Sequence, residues 1–232
     1  MSDADVALFD SLEGQMALVT GANRGIGERI AAGLVDHGAT VYAGVRDPEH
    51  FDAPAGQRAV RLDVTDAAHD RAAVERIREE AGRLDVLVNN AGVMDSRERL
   101  DEMPDDTVTR TLDVNVRGAM LLTKYALPLL TDADPGRVVN LSSGMGQLSR
   151  MGGGSPAYRV SKVAINGLAA YLDAEYDGLL ANAASPGWVA TAMGGPEAPR
   201  TPEEGADTPV WLARLREGPS GKLWKDRGVI EW

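Results

Sequence analysis

Short apolar blocks alternate along this chain with longer stretches in which apolar residues recur every three or four positions. Met16-Ala17-Leu18-Val19-Thr20, Thr40 to Val45, Gln57 to Leu62, Leu84 to Val88, Gly136 to Leu141 and Leu179 to Ala184 have the length and apolar character of buried strands. Between them, Ile30, Ala31, Leu34 and Val35 predict a helix over Glu28 to His37, closed by Gly38. Val74, Ile77 and Ala81 predict a second helix, capped by Thr65 or Asp66 and ended by Gly82. A long third helix runs from about Asp105 through Leu112, Val116, Met120 and Leu121 to Leu130. A fourth carries Tyr158, Ile165, Leu168, Ala169 and Leu172, with Pro156 suited to its first turn. Thr201-Pro202-Glu203-Glu204 is a capping box opening a helix toward Leu215, and Gly221 to Trp224 leads into a last short strand and tail. Strands alternating with helices imply an α/β fold with a doubly wound parallel sheet. We expect one domain over residues 15–232, preceded by an arm, residues 1–14, that has no clear periodicity.

Charge narrows the possible partners. Asp and Glu number 35 against 24 Lys and Arg, a net charge of −11, so nucleic acid and anionic membranes are poor partners. The start, Met1 to Asp5, is acidic and lacks the basic and apolar segments of a signal peptide, and no apolar run reaches the roughly 20 residues of a membrane span. The chain has no cysteine, which rules out disulfides and thiolate chemistry and fits a cytoplasmic setting. His37, His50 and His69 are too dispersed to suggest a metal site. The scarcity of lysine fits adaptation to high salt or an ordinary acidic protein, and the sequence leaves both open.

Two motifs carry candidate chemistry. The first strand runs into Gly21-Ala22-Asn23-Arg24-Gly25-Ile26-Gly27 and then into a helix. Glycines there let the backbone approach a pyrophosphate, and the helix N-terminus offers free N–H groups to it. A tight turn without a ligand is the plainer reading. After the second strand, Asp47 lies near the count expected of a ribose-binding carboxylate, but preceding Pro48 it reads better as an N-cap. Arg46 and Arg24 together suit the 2′-phosphate of NADP, with NAD the less favoured alternative. The second motif is Tyr158 and Lys162, four apart and so on one helix face. An ammonium about 4 Å from a phenol stabilises its anion by roughly 4 kcal/mol, enough to bring a tyrosine toward a pKa of about 7. A solvated tyrosine and lysine are the alternative.

The loop spacing Gly-x-x-x-Gly-x-Gly, followed by Asn89-Asn90-Ala91-Gly92 and by Tyr158-x-x-x-Lys162, resembles the short-chain dehydrogenase/reductase family in its compact single-domain, carbonyl-reductase-like branch. The resemblance runs from about Met16 to the C-terminus and implies a Rossmann-type sheet. It implies that Asn115, Ser143, Tyr158 and Lys162 are the catalytic residues, Ser143 holding the substrate oxygen and Asn115 a water beside the lysine. The 15 residues from Ser143 to Tyr158 slightly exceed the common spacing, and Gly152-Gly153-Gly154 is where the extra length fits. It further implies cofactor contacts from Gly21, Asn23, Arg24, Gly25, Ile26, Gly27, Arg46, Asp63, Val64, Asn90, Ala91, Gly92, Tyr158, Lys162, Pro186, Gly187, Val189 and Thr191, with Asn89 structural. The expected activity is hydride transfer between NADP(H) and a small carbonyl or alcohol. A catalytically silent NADP-binding sensor of the same fold is the alternative, and the glycine spacing disfavours a sugar epimerase. Met94, Met145, Leu148, Met151, Trp188 and Met193 suit an apolar substrate pocket or the ordinary core, and Met193 to Arg200 a short lid. In many relatives the helices carrying Asn115 and Tyr158 form subunit interfaces, and the small residues Ala164, Gly167, Ala169, Ala170 and Ala174 suit either a homo-oligomer, dimer or tetramer, or packing on the sheet.

Overall fold

The computed structural model describes residues 6–232. Ten strands and six α-helices follow in order: β1 (Ala7–Leu8), β2 (Met16–Thr20), α1 (Gly25–Asp36), β3 (Thr40–Val45), β4 (Gln57–Arg61), α2 (Ala67–Ala81), β5 (Val86–Asn89), α3 (Asp105–Leu112), α4 (Ala119–Thr131), β6 (Gly136–Leu141), α5 (Pro156–Glu175), β7 (Leu179–Ala184), α6 (Pro202–Ala213), β8 (Leu215–Glu217), β9 (Leu223–Lys225) and β10 (Gly228–Ile230). The main sheet has eight strands in the order β10-β9-β7-β6-β5-β2-β3-β4. It is parallel from β4 to β9, with β10 antiparallel on the edge. This is the doubly wound sheet that the alternation of elements implied, of the Rossmann type that the family resemblance implied.

Helices cover both faces because the central strands are apolar on both. Val19, Val41 and Val88 meet Ile30 and Leu34 of α1 and Leu212 of α6 on one side. Leu18, Leu87 and Val138 meet Ile77 of α2, Leu122 of α4 and Leu172 of α5 on the other. The chain order reverses direction across the sheet between β2 and β5, so a crevice opens beyond their carboxyl ends.

Four elements depart from expectation. The long third helix is not continuous α: Asp113–Gly118 forms a π-helical turn between α3 and α4, centred on Asn115. The expected single last strand is a hairpin, β9 with β10. The leading arm lies partly outside the described residues, but Ala7–Leu8 pairs antiparallel with β8 and Leu12 is fully buried. Asp47 stands before a short 3-10 turn, Pro48–His50, yet its carboxylate bonds His50 Nδ1 at 2.7 Å and caps nothing.

Candidate active site

The crevice is a cleft of about 2440 Å³ whose walls come from the carboxyl ends of β2 to β7. Its floor begins at the glycine turn. Gly21 and Gly25 have φ of +64° and +58°, in the left-handed region where a side chain is strained. A side chain on Gly27 would overlap the carbonyl of Gly21 and the amide of Asn90, so only glycine lets α1 start this close to β2. Arg24 precedes α1 without capping it through its side chain, which leaves the first N–H groups of the helix open to a ligand. Asn90 fastens the turn from the next strand: its Nδ2 donates to Thr20 O at 2.7 Å. Thr20 Oγ1 accepts from the N–H groups of Asn90 at 2.9 Å and Ala91 at 2.8 Å.

Arg24 and Arg46 line one end of the cleft with Asp63 and Val64. Asp63 is partly buried, which raises its pKa, but hydrogen bonds from the Thr65 N–H and hydroxyl and the charge of Arg46 outweigh this and hold it below the usual carboxylate value. At the centre, Tyr158 and Lys162 share the buried face of α5 against Ser143 at the end of β6. Lys162 Nζ donates to Leu141 O at 2.6 Å and lies 5.5 Å from the centre of the Tyr158 ring. Burial lowers the Lys162 pKa to about 8. Burial also raises that of Tyr158, and the neighbouring Ser143 hydroxyl draws it partly back. Four-residue spacing brings the amine to the face of the phenol ring, and burial pushes the Tyr158 pKa upward, away from the value near 7 that a neighbouring ammonium alone would favour.

Asn115 alone among the nominated catalytic and cofactor residues does not line the cleft. It is buried behind Gly92, its Oδ1 accepting from Val93 N at 2.7 Å and its Nδ2 donating to Val93 O at 2.9 Å and Ser161 Oγ at 3.0 Å. Its Oδ1 and Lys162 Nζ nonetheless approach the same bare face of Gly92. Asn89, by contrast, bonds Thr123 and Asn140 inside the sheet, as a structural residue. Beyond the tyrosine, Thr191 faces Gly25, and Val189 is buried against Gly205. Arg200 holds this loop, donating to Pro186 O at 2.9 Å and pairing with Asp226, while Trp188 Nε1 donates to Gly194 O at 2.8 Å. Of the apolar candidates, Met94, Met145, Trp188 and Met193 line the cleft; Leu148 and Met151 point to solvent instead.

Sequence reasoning missed Thr20, Ser161 and Asn166. Ser161 stands three after Tyr158 and donates to its carbonyl at 2.7 Å, a helical spacing that was readable. Asn166 accepts from Ser142 Oγ at 2.6 Å and donates to Gly146 O at 3.0 Å, tying the serine turn to α5 across 20 or more residues; no local pattern signals that.

A sheet of this order thus brings a glycine turn, a buried tyrosine–lysine pair and a serine to one cleft. A family model described as short chain dehydrogenase matches residues 15–201. Oxidoreductase UcpA of Salmonella typhimurium is 40% identical over 191 residues, covering 78% of this chain and 72% of that protein. Carbonyl reductase [NADPH] 1 of Sus scrofa is 32% identical over 281 aligned positions, covering 94% of each chain. Among solved structures, NADPH-bound carbonyl reductase from chicken fatty liver superposes with a TM-score of 0.84 at 27% identity, covering 95% of this chain and all of that one. The chain belongs to the short-chain dehydrogenase/reductase family of oxidoreductases and is similar to its carbonyl reductases.

Proposed function

We propose that the protein transfers hydride between NADP(H) and a small carbonyl or alcohol, with Tyr158 as the acid and base. The observation that carries this reading is the burial of Tyr158 and Lys162 side by side next to Ser143, in one cleft with the glycine turn. The cleft fits a dinucleotide: bare glycine faces, open helix N–H groups and, at one end, Arg24 and Arg46 for a 2′-phosphate. Asp63 and Val64 would border the adenine, Asn90, Ala91 and Gly92 the middle of the cofactor, and Pro186, Gly187, Val189 and Thr191 the nicotinamide. The cofactor supplies the hydride; proton transfer and placement fall to the protein.

Ser143 holds the substrate oxygen in this reading, and Tyr158 protonates it. A phenol raised above its ordinary pKa carries its proton at neutral pH, which suits reduction of a carbonyl. Lys162 carries positive charge below about pH 8 and stabilises the phenolate left behind. Asn115, which reaches the same face of Gly92 as Lys162, positions the route by which the proton returns. General acid–base catalysis contributes roughly 10² to 10⁴ in rate, so Tyr158→Phe should lower turnover at least about 100-fold while NADPH binding, followed by its fluorescence, stays near that of the parent. Near-normal NADPH oxidation by the variant across a carbonyl panel would remove Tyr158 from the reaction. The related NADPH-dependent carbonyl reductases and the two arginines favour NADPH over NADH, and the same panel run with NADH checks it.

A further inference from the structure

We infer that the substrate end of the cleft reads a hydroxyl group through Gln147 and Ser185, so that the preferred substrate is a hydroxy-carbonyl compound or the corresponding diol. This rests on the hydride-transfer reading above and specifies its substrate class. Gln147 and Ser185 are 8% and 2% exposed, and both line the cleft. Gln147 Nε2 donates to the backbone oxygen of Glu231 at 2.8 Å. A carbonyl oxygen only accepts, so the amide cannot be turned round, and Oε1 is left as an acceptor on the other side. That oxygen lies 3.6 Å from the point where a side chain on Gly144 would begin, and Ser185 Oγ lies 3.9 Å from the same point. Neither atom has a hydrogen-bond partner among the described residues, and both stay open to the cleft although their residues are otherwise packed away.

Gly144 directly follows Ser143, so the two groups flank the place where the substrate oxygen is held. Two unpartnered polar atoms close to one point of the cleft wall favour a ligand that fills their hydrogen-bonding capacity and displaces their water over one that leaves it empty. Gln147 Oε1 accepts only; Ser185 Oγ accepts or donates. A hydroxyl, which does both, satisfies the pair, whereas a plain hydrocarbon satisfies neither. The absence of a side chain at Gly144 leaves room for it. Met94, Met145 and Trp188 supply the apolar remainder of the wall.

The test compares cyclohexanone with 2-hydroxycyclohexanone as NADPH-dependent substrates. The parent protein should favour the hydroxyketone in kcat/KM by about 10-fold or more, since each net hydrogen bond is worth a factor of roughly 5. Ser185→Ala should cut that preference about fivefold, read as the ratio of the two kcat/KM values. Because Ser185 Oγ has no partner among the described residues, the variant should fold as well as the parent. Gln147→Leu should also cut the preference; it loosens the Glu231 contact as well, so the serine variant decides if the two disagree. Equal use of both ketones by the parent, or an unaltered ratio in Ser185→Ala, overturns the hydroxyl subsite while hydride transfer stands. Reduction of neither ketone, nor of any in the wider panel, overturns the underlying reading instead.

Discussion

At Lys162 the fold holds an amine that solvent would hold more easily. The side chain is 5% exposed, its ammonium has one backbone carbonyl as partner, and burial brings its pKa from 10.5 to about 8. Between those two values the unfolded chain binds the proton that the folded protein has released, so stability contributed by this group rises as pH goes from 8 to 10.5. Below pH 8 the full unfavourable contribution is present, on the order of 3 kcal/mol at about 1.36 kcal/mol per pKa unit. Lys162→Met removes it together with the bond to Leu141. The stability of the variant relative to the parent should therefore be greatest at pH 7 and fall by about 3 kcal/mol by pH 10.5, read from urea unfolding. A difference that is flat in pH would mean that the amine is solvated in the native protein.

The seam between the serine turn and α5 sets the spacing of the candidate site at the level of elements. Gly146 is where they meet: a side chain there would stand 2.7 Å from Lys162 Cβ and 2.8 Å from its carbonyl carbon. Both are main-chain or near-main-chain atoms, so the helix must move. Gly146→Ala should destabilise the protein by roughly 1–3 kcal/mol, the usual cost of overpacking, and reduce turnover more than NADPH affinity. Unchanged melting and turnover would mean that the seam is loose. Little of this seam is legible in the sequence, because it depends on residues 16 apart meeting in space. Elements defined by local physics were legible: β2, β3, β6 and β7 begin and end where their apolar runs do, and the Thr201 capping box forms with both of its hydrogen bonds. Those defined by tertiary pairing were not. β1, β8 and β10 are two or three residues long and exist through their partners. The π-helical turn at Asn115 hides because one extra residue in a helix leaves the apolar spacing on either side intact.

Charge across the whole molecule joins stability to cofactor choice. Seven basic and five acidic side chains line the cleft, whereas the chain as a whole has 24 and 35, so the cleft is a basic window in an acidic coat. Part of that was readable beforehand, in Arg24 beside the glycines and Arg46 after β3. Arg97, Arg110, Arg150 and Lys225 reach the same cleft from distant segments, and only the folded chain brings them there. An anionic dinucleotide is drawn to the window and repelled by the coat, and both interactions are screened as the Debye length shrinks from about 10 Å at 0.1 M salt to about 3 Å at 1 M. Raising KCl over that range should weaken NADPH binding several-fold and NADH binding less, because the additional charge of the 2′-phosphate faces exposed arginines. The preference for NADPH should narrow accordingly. The unfolding midpoint should move the other way and rise, since screening relieves the self-repulsion of a chain at net −11. A KM for NADPH indifferent to salt would show that Arg24 and Arg46 do not hold a phosphate. A midpoint that falls would show that the exposed ion pairs matter more than the net charge.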